Sequence, residues 1–475
     1  MCSREHLSFP VVLINRCTTG SGGVAGTKKL FLHGGADVMG ERTDVSRRSL
    51  LKGAGAIAGG LPLILDPTLS VSRAATDAND RLNIACIGVQ NRGNSLLQEL
   101  LDRDDCQVVA ICDVDEKLLN EWVEHSESAY AEQNDLGRYE GVSSYVDYRE
   151  MLAQEDLDGI VVAVPDHNHA HISVRAMKTG VDVYCEKPLS LTVEEGRIIT
   201  DAVEARDRIL QVGSQRRSSH QFRHVCELVR NGRIGELQHI DVRITTRSGS
   251  AEAWSARPVP DHFHDDLWLG PAFPTPYHPK RRHYDFRFVT DYSGGDITNM
   301  GAHFVDLAQW ANGTSETGPV EVHGRGKRNE TGLHDVFYDP RVEFTYENGV
   351  TMAMRMTEKW GDFIRFEGTE GWISAGSEMK ADPASVLESE IGPDETSLYR
   401  TDESHIGNFL QCVRERRQPS APAEVGHRSA TICHLANIAM LTRRRLEWDP
   451  EQEKFPLEGE ANRLLRRASH EPWTV

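Results

Sequence analysis

The 475-residue chain is long enough to bury two cores, and its 72 acidic against 53 basic residues give a formal net charge of −19. That balance excludes a nucleic-acid binder built on a basic face, since phosphate contacts need an excess of cations. No apolar run reaches the roughly 20 residues of a membrane span, so no stable membrane insertion is expected.

The nine cysteines are scattered, with no C-x-x-C pair and no Cys/His spacing suited to zinc. They read as small buried hydrophobes, and neither a disulfide framework nor a metal site is expected.

At the N-terminus, Ser46-Arg47-Arg48-Ser49-Leu50-Leu51-Lys52 precedes a Gly/Ala-rich apolar run from Gly53 to Leu65 and the small residues Val71 to Ala75. Basic pair, short apolar run and small-residue end, in that order, read as a twin-arginine export signal. The expectation is a signal over residues 39–75, a true start at Met39, residues 1–38 a gene-start error, and a periplasmic or otherwise exported product.

Leu82 to Ile87 is a buried-strand run, followed by the loop Gly88-Val89-Gln90-Asn91-Arg92-Gly93 and a helical stretch from Asn94 to Leu101. A second strand, Val108 to Cys112, ends at Asp113. Strand, glycine loop, helix, strand and acid are the parts of a dinucleotide site. The glycines allow a tight turn beneath the pyrophosphate, and the helix N-terminus offers N–H groups and a positive dipole end. Asp113 is placed to accept from ribose hydroxyls and repel a 2′-phosphate, which favours NAD over NADP. Gln90 stands where a second glycine is usual, and such a loop alone equally fits an ordinary strand-to-helix turn.

Further on, Leu157 to Val164 is another buried strand, ending in Pro165-Asp166-His167-Asn168-His169. Helical 170–179, the strand Val181 to Cys185 closed by Glu186-Lys187-Pro188, helical 192–205 and Ile209 to Gly213 continue the alternation. This predicts α/β architecture, with a doubly wound parallel Rossmann sheet over 80–213.

From 214 to the end, strands dominate. Ser219 to Asn231 is an amphipathic helix, Leu237 to Thr246 alternates, and Val342–Tyr346 and Val350–Met356 flank Asn348-Gly349, the signal of a type I′ hairpin. Phe363–Gly368 and Trp372–Ala375 extend an open, largely antiparallel sheet. A helix over 428–442 is expected to pack back on the first domain. Before the hairpin, Asn299, His303 and Asp306 are spaced to share a helix face. Asp266 to Ala272 and the aromatic, basic run Tyr277 to Phe288 suit a carbohydrate or an interface equally.

Taken in order, the glycine loop, Asp113, Pro165-Asp-His-Asn-His169, Glu186-Lys187-Pro188 and Gln211-Val-Gly-Ser-Gln-Arg216 resemble the glucose–fructose oxidoreductase / inositol dehydrogenase / MocA (Gfo/Idh/MocA) family, in its exported branch. The resemblance runs from about residue 80 to the end. It implies a nicotinamide-dependent oxidoreductase acting on a sugar, polyol or cyclitol hydroxyl, with NAD as cofactor and a homo-oligomeric assembly. Implied cofactor contacts are Gly88, Gln90, Asn91, Arg92, Gly93, Asp113, Pro165, Asp166, His169, Glu186, Lys187 and Gln215. Lys187 is the implied polarising group and His303 the acid/base, with Asn299 replacing the family's usual Asp. Arg216, Tyr284 and Asp306 are candidate substrate contacts. Two alternatives accompany this reading. One is an NAD-dependent glycoside hydrolase or lyase working through transient oxidation. The other is a non-catalytic sugar-binding protein, to which the departures at Gln90 and Asn299 point.

Overall fold

A computed structural model describes residues 81–357, 363–468 and 470–474; the expected export signal lies outside them. The first sheet contains β1 (Leu82–Ile87), β2 (Cys106–Cys112), β3 (Ser143–Tyr145), β4 (Gly159–Val162), β5 (Asp182–Cys185) and β6 (Leu210–Val212). All are parallel, in the order β3-β2-β1-β4-β5-β6. Its helices are α1 (Arg92–Leu101), α2 (Glu116–Gln133), α3 (Tyr148–Gln154), α4 (His169–Lys178) and α5 (Val193–Arg206). The strands are continuous apolar runs because helices cover both faces: Ala85, Ile160 and Val183 pack on one side, Ile84, Val108 and Val161 on the other. Helix starts are locally encoded. Asp115 accepts from Lys117 N at the start of α2, and Thr192 with Glu195 forms a capping box on α5, each worth about 1 kcal/mol.

Beyond β6 come α6 (His220–Arg230), β7 (Leu237–Ile244), α7 (Asp265–Leu269), α8 (Asp296–Asn299) and α9 (Gly301–Asn312). Strands β8 (Glu321–Arg328), β9 (Phe337–Thr345), β10 (Thr351–Met356), β11 (Phe363–Gly368), β12 (Trp372–Ala375) and β13 (Lys380–Asp382) follow. The chain ends with α10 (His405–Glu415), α11 (Ala423–Thr442), β14 (Arg445–Glu447) and α12 (Gly459–Arg463). The second sheet runs β13-β12-β11-β7-β10-β9-β8-β14, antiparallel throughout except for β7 beside β10. Along β7, Ile240, Val242 and Ile244 face the core with Phe304 of α9 and Ile432 of α11, while Asp241 and Arg243 alternate to the other face.

One expectation changes. The β9–β10 hairpin is not a type I′ turn: Gly349 N donates to Tyr346 O (3.0 Å), Tyr346 N donates to Val350 O (2.9 Å), and Gly349 alone takes positive φ, +83°. That is a three-residue loop closed by a left-handed glycine. Helix α10 lies on the first sheet, where its Ile406, Phe409 and Leu410 join the core of β1 and β2. Helix α11 packs against α5 and β6 of the first domain and buries Ile432, Leu435 and Met440 in the second core.

Candidate active site

The strand order reverses between β1 and β4, and a cleft of about 340 Å³ opens at the carboxyl ends of these strands. Gly88 leaves β1 with φ +81°, and a Cβ there would stand 2.6 Å from the Ala163 carbonyl oxygen. Gly93 lies under the turn, where a Cβ would collide with the Gly88 carbonyl. The second positive φ of the loop falls at Asn91 (φ 51°, ψ −105°), outside the αL well that asparagine favours, so the strain of the turn sits there; Gln90 takes no positive φ. The backbone at Gln90 therefore needs no glycine.

Asp113 closes β2 and shapes the same loop. Its Oδ2 accepts from Val89 N (2.9 Å) and its Oδ1 from Asp115 N (2.9 Å). Burial pushes its pKa up to about 6, so at neutral pH it is ionised. Gly88, Gln90, Asn91, Arg92 and Asp113 line one end of the cleft, beside the N-terminus of α1. A turn, a helix end and a strand-end acid on one wall fit a dinucleotide's pyrophosphate and ribose.

Across the cleft, Glu186 ties four groups. It accepts from Arg92 Nε (2.9 Å), Gln215 Nε2 (2.8 Å) and Tyr184 OH (3.3 Å) through Oε1, and from Lys187 N (3.3 Å) through Oε2. Its carboxylate thereby fixes the turn that carries Lys187. The Lys187 ammonium donates to Asn299 Oδ1 (2.7 Å) and to the Asn299 carbonyl (3.1 Å). Burial lowers its pKa, against the pull of Glu186 and Asp166.

Asn299 ends α8 and His303 lies in α9; helical geometry at Met300 joins the two short helices, and both side chains line the cleft with Lys187. Burial drives the His303 pKa well below its ordinary value, and the charges of Lys187, Arg216 and Arg92 add to this. Its imidazole is therefore neutral and able to accept a proton. Among the described residues its buried Nδ1 has no hydrogen-bond partner.

Pro165, Asp166 and Gln215 also line the cleft. Asp166 accepts from Ser293 Oγ (2.7 Å), and burial raises its pKa. His169 is placed differently from expectation. It is buried under the wall with Nδ1 facing Pro188 O (2.7 Å) and Nε2 facing Val164 O (2.9 Å). Two carbonyl partners require both nitrogens protonated. Burial opposes that charge, but Cys185, Asp166 and the Pro188 carbonyl push its pKa up to about 9. His169 braces the Lys187–Pro188 turn rather than meeting a ligand.

Asp306 is likewise no cleft residue. It is buried in an ion pair with Arg217 (2.8 Å) and accepts from Ser429 Oγ (3.1 Å). Arg216 lies on the rings of Phe304 (3.7 Å) and Phe222 (5.0 Å), outside the cleft lining. Tyr284 stands 42% exposed at the margin, accepting from Arg247 Nη1 (3.1 Å).

Sequence reasoning missed much of the roof. Residues 245–295 form an arm from the second domain over the end of β2, with His264 N donating to Val114 O and Glu116 N to His262 O (both 2.9 Å). It brings Phe263, Trp268, Phe286 and Arg287 into the cleft, and Trp473 arrives from the far C-terminus. The Asp266–Ala272 and Tyr277–Phe288 runs carried a compositional signal for the arm; nothing local marked Trp473.

Parallel sheet, switch-point cleft and a lysine–amide–histidine group facing it together define a dinucleotide-binding, two-domain α/β protein. Residues 82–214 match the NAD-binding Rossmann fold of an oxidoreductase family, and residues 220–475 match that family's C-terminal alpha/beta domain. The chain belongs to the Gfo/Idh/MocA oxidoreductase family, and its first domain is an NAD-binding Rossmann domain. A glycosyl hydrolase family 109 protein of Shewanella sp. (strain W3-18-1) is 27% identical over 216 residues, covering 41% of this chain and 45% of that protein. The chain thus spans about half the length of the curated relative it matches. Among solved structures, the WlbA dehydrogenase from Bordetella pertussis, in complex with NADH and UDP-GlcNAcA, shares the fold with a TM-score of 0.57 at 17% identity, over 78% of this chain and 99% of that one. The myo-inositol 2-dehydrogenase from Lactobacillus plantarum does so with a TM-score of 0.55 at 19% identity, over 77% and 99%.

Proposed function

We propose that this protein oxidises or reduces a hydroxyl-bearing carbon of a sugar, polyol or cyclitol with NAD. The observation that carries this reading is the convergence of Lys187, Asn299 and His303 on the cleft that also holds the Gly88–Arg92 turn and Asp113. When bound, the nicotinamide supplies the hydride acceptor or donor. Gln90, Asn91 and Arg92 would hold the phosphates, and Asp113 the adenosine ribose. His303, neutral through burial, takes the hydroxyl proton in the oxidising direction and returns it in the other. The Lys187 ammonium, steered by the Asn299 amide, stabilises negative charge developing on the substrate oxygen. Phe263, Trp268 and Phe286 exclude water and offer apolar faces to a sugar ring.

The test is Lys187→Met. Turnover of any sugar that the native protein oxidises should fall about a hundred- to a thousandfold, the scale of one electrostatic group in a closed site, while NAD still binds by titration. Full activity in that variant removes Lys187 from the mechanism. A second reading, glycoside cleavage through transient oxidation, draws on the names of the curated relatives. Net sugar cleavage with no net NADH would favour it. We propose further that the protein is exported with NAD in place and self-associates, readings supported by the sequence before residue 76 and by the open face of the second sheet.

A further inference from the structure

Resting on that functional reading, the charges at the inner end of the cleft say what kind of sugar it takes. The two carboxylates that act on Lys187 are themselves engaged: Glu186 by Arg92 and Gln215, Asp166 by Ser293. Lys187 feels the charges of Glu186 and Asp166, but its ammonium hydrogen bonds go to the neutral oxygens of Asn299. Arg287 lines the same cleft, and among the described residues no carboxylate lies within ion-pairing distance of it. Its Nε is buried without a hydrogen-bond partner. Its charge is felt at both Lys187 and Asp166.

Arg287 is also held in place. Its guanidinium lies 3.7 Å from the ring centre of Tyr284. The Tyr284 hydroxyl is in turn fixed by Arg247, and Arg247 by an ion pair with buried Asp296 (2.7 Å). A pre-positioned guanidinium without an acid partner, beside an ammonium held by an amide, presents a planar fork to an oxoanion. The side chain is half-buried with its Nε closed off from water and without a partner, and a ligand carboxylate would supply one.

We infer that the substrate is an acidic sugar, a uronic or aldonic acid whose carboxylate is bound by Arg287 while its reacting hydroxyl lies between Lys187 and His303. In this account Tyr284 acts through Arg287, as a positioning residue.

The experiment measures binding to the NAD-saturated full chain by calorimetry, with hexoses and their matching hexuronates and aldonates as probes. At least one acid should bind more tightly than its neutral partner, and the difference should shrink with added salt. Arg287→Met should weaken the acid roughly ten- to hundredfold, the scale of a charge-assisted bond, and leave the neutral sugar unchanged. Arg287→Lys, which keeps the charge and loses the fork, should restore part of the preference. In turnover, Arg287→Met should raise KM for the acid far more than it lowers kcat. Equal or tighter binding of neutral sugars, equal loss of both classes in Arg287→Met, or no binding of either class overturns the inference. Acid binding through Arg287 without any change in NAD redox state would keep this inference and refute the redox reading.

Discussion

Asn299 places an uncharged oxygen 2.7 Å from the Lys187 ammonium, at a position where a carboxylate would otherwise stand. The amide orients the lysine without raising its proton affinity, and burial already lowers it. Restoring the acid with Asn299→Asp should therefore raise the Lys187 pKa and move the alkaline limb of kcat/KM upward by about one pH unit or more. An unmoved limb would mean that Lys187 does not control it. The same variant should weaken an acidic substrate, because the new carboxylate repels it. Asp113 offers a second test at this scale. Its pKa of about 6 makes it anionic at neutral pH and neutral below. Discrimination against NADP, read as the ratio of the two dissociation constants, should be strong at neutral pH and decline as pH falls through about 6. A ratio independent of pH across that window would take Asp113 out of the choice.

Between elements, the two domains are clamped where α5 meets α11. Arg197 of α5 pairs with Glu424 and Glu453 (both 2.8 Å), and Glu453 also binds His427 (2.6 Å) and Arg428 (3.0 Å). Burial opposes the charge on Glu453, yet His427 and Arg197 hold its pKa down to about 2, from an ordinary value of 4.5. A depressed carboxylate adds stability above its unfolded pKa and loses it as pH falls through its folded one. Glu453→Gln should thus cost about 3 kcal/mol at neutral pH, as for a broken, largely buried ion network. Denaturant titration should show the gap to wild type closing as pH drops from 4.5 toward 2; a gap that stays constant would deny the clamp its ionic character. Local sequence revealed elements better than their partners. The turn at Gly88 and the acid ending β2 were legible because strand, turn and helix are encoded within a few residues, and Lys187 through the family resemblance of the Glu186-Lys187-Pro188 triplet. That His169 and Asp306 serve as braces was not legible. Their partners, Val164 O and Pro188 O for one and Arg217 for the other, are set by packing across strands and domains. The docking of α10 through Phe409 was likewise a matter of which apolar helix found which sheet.

For the molecule as a whole, the cleft opens at the strand ends of the first sheet, and the segments that close it, with Asn299, His303 and Trp473, come from far along the chain. The arm over residues 245–295 carries an aromatic cluster built on Trp268, Tyr277 and Tyr292, and places Phe263 and Phe286 above the strand ends. Composition could flag that run as aromatic and basic but could not choose between ligand and interface; the answer is a small core with one face on the cleft. The cleft lining carries the carboxylates Asp113, Asp147, Asp166 and Glu186 beside the cations Arg92, Lys187 and Arg287, so recognition of an acidic ligand rests on the placement of Arg287 and not on a net positive field.

The central claim is that hydride moves between a substrate carbon and the nicotinamide in this cleft, with no net bond cleavage in the sugar. The most direct measurement is a single turnover of the NAD-saturated protein with a sugar acid carrying deuterium at the reacting carbon, read by mass spectrometry of the nucleotide and the sugar. The account predicts deuterium on the reduced nicotinamide and an oxidised, otherwise intact sugar, with neither product formed by Lys187→Met. Deuterium retained in a cleaved sugar, or lost to water with the nucleotide still oxidised, would contradict it.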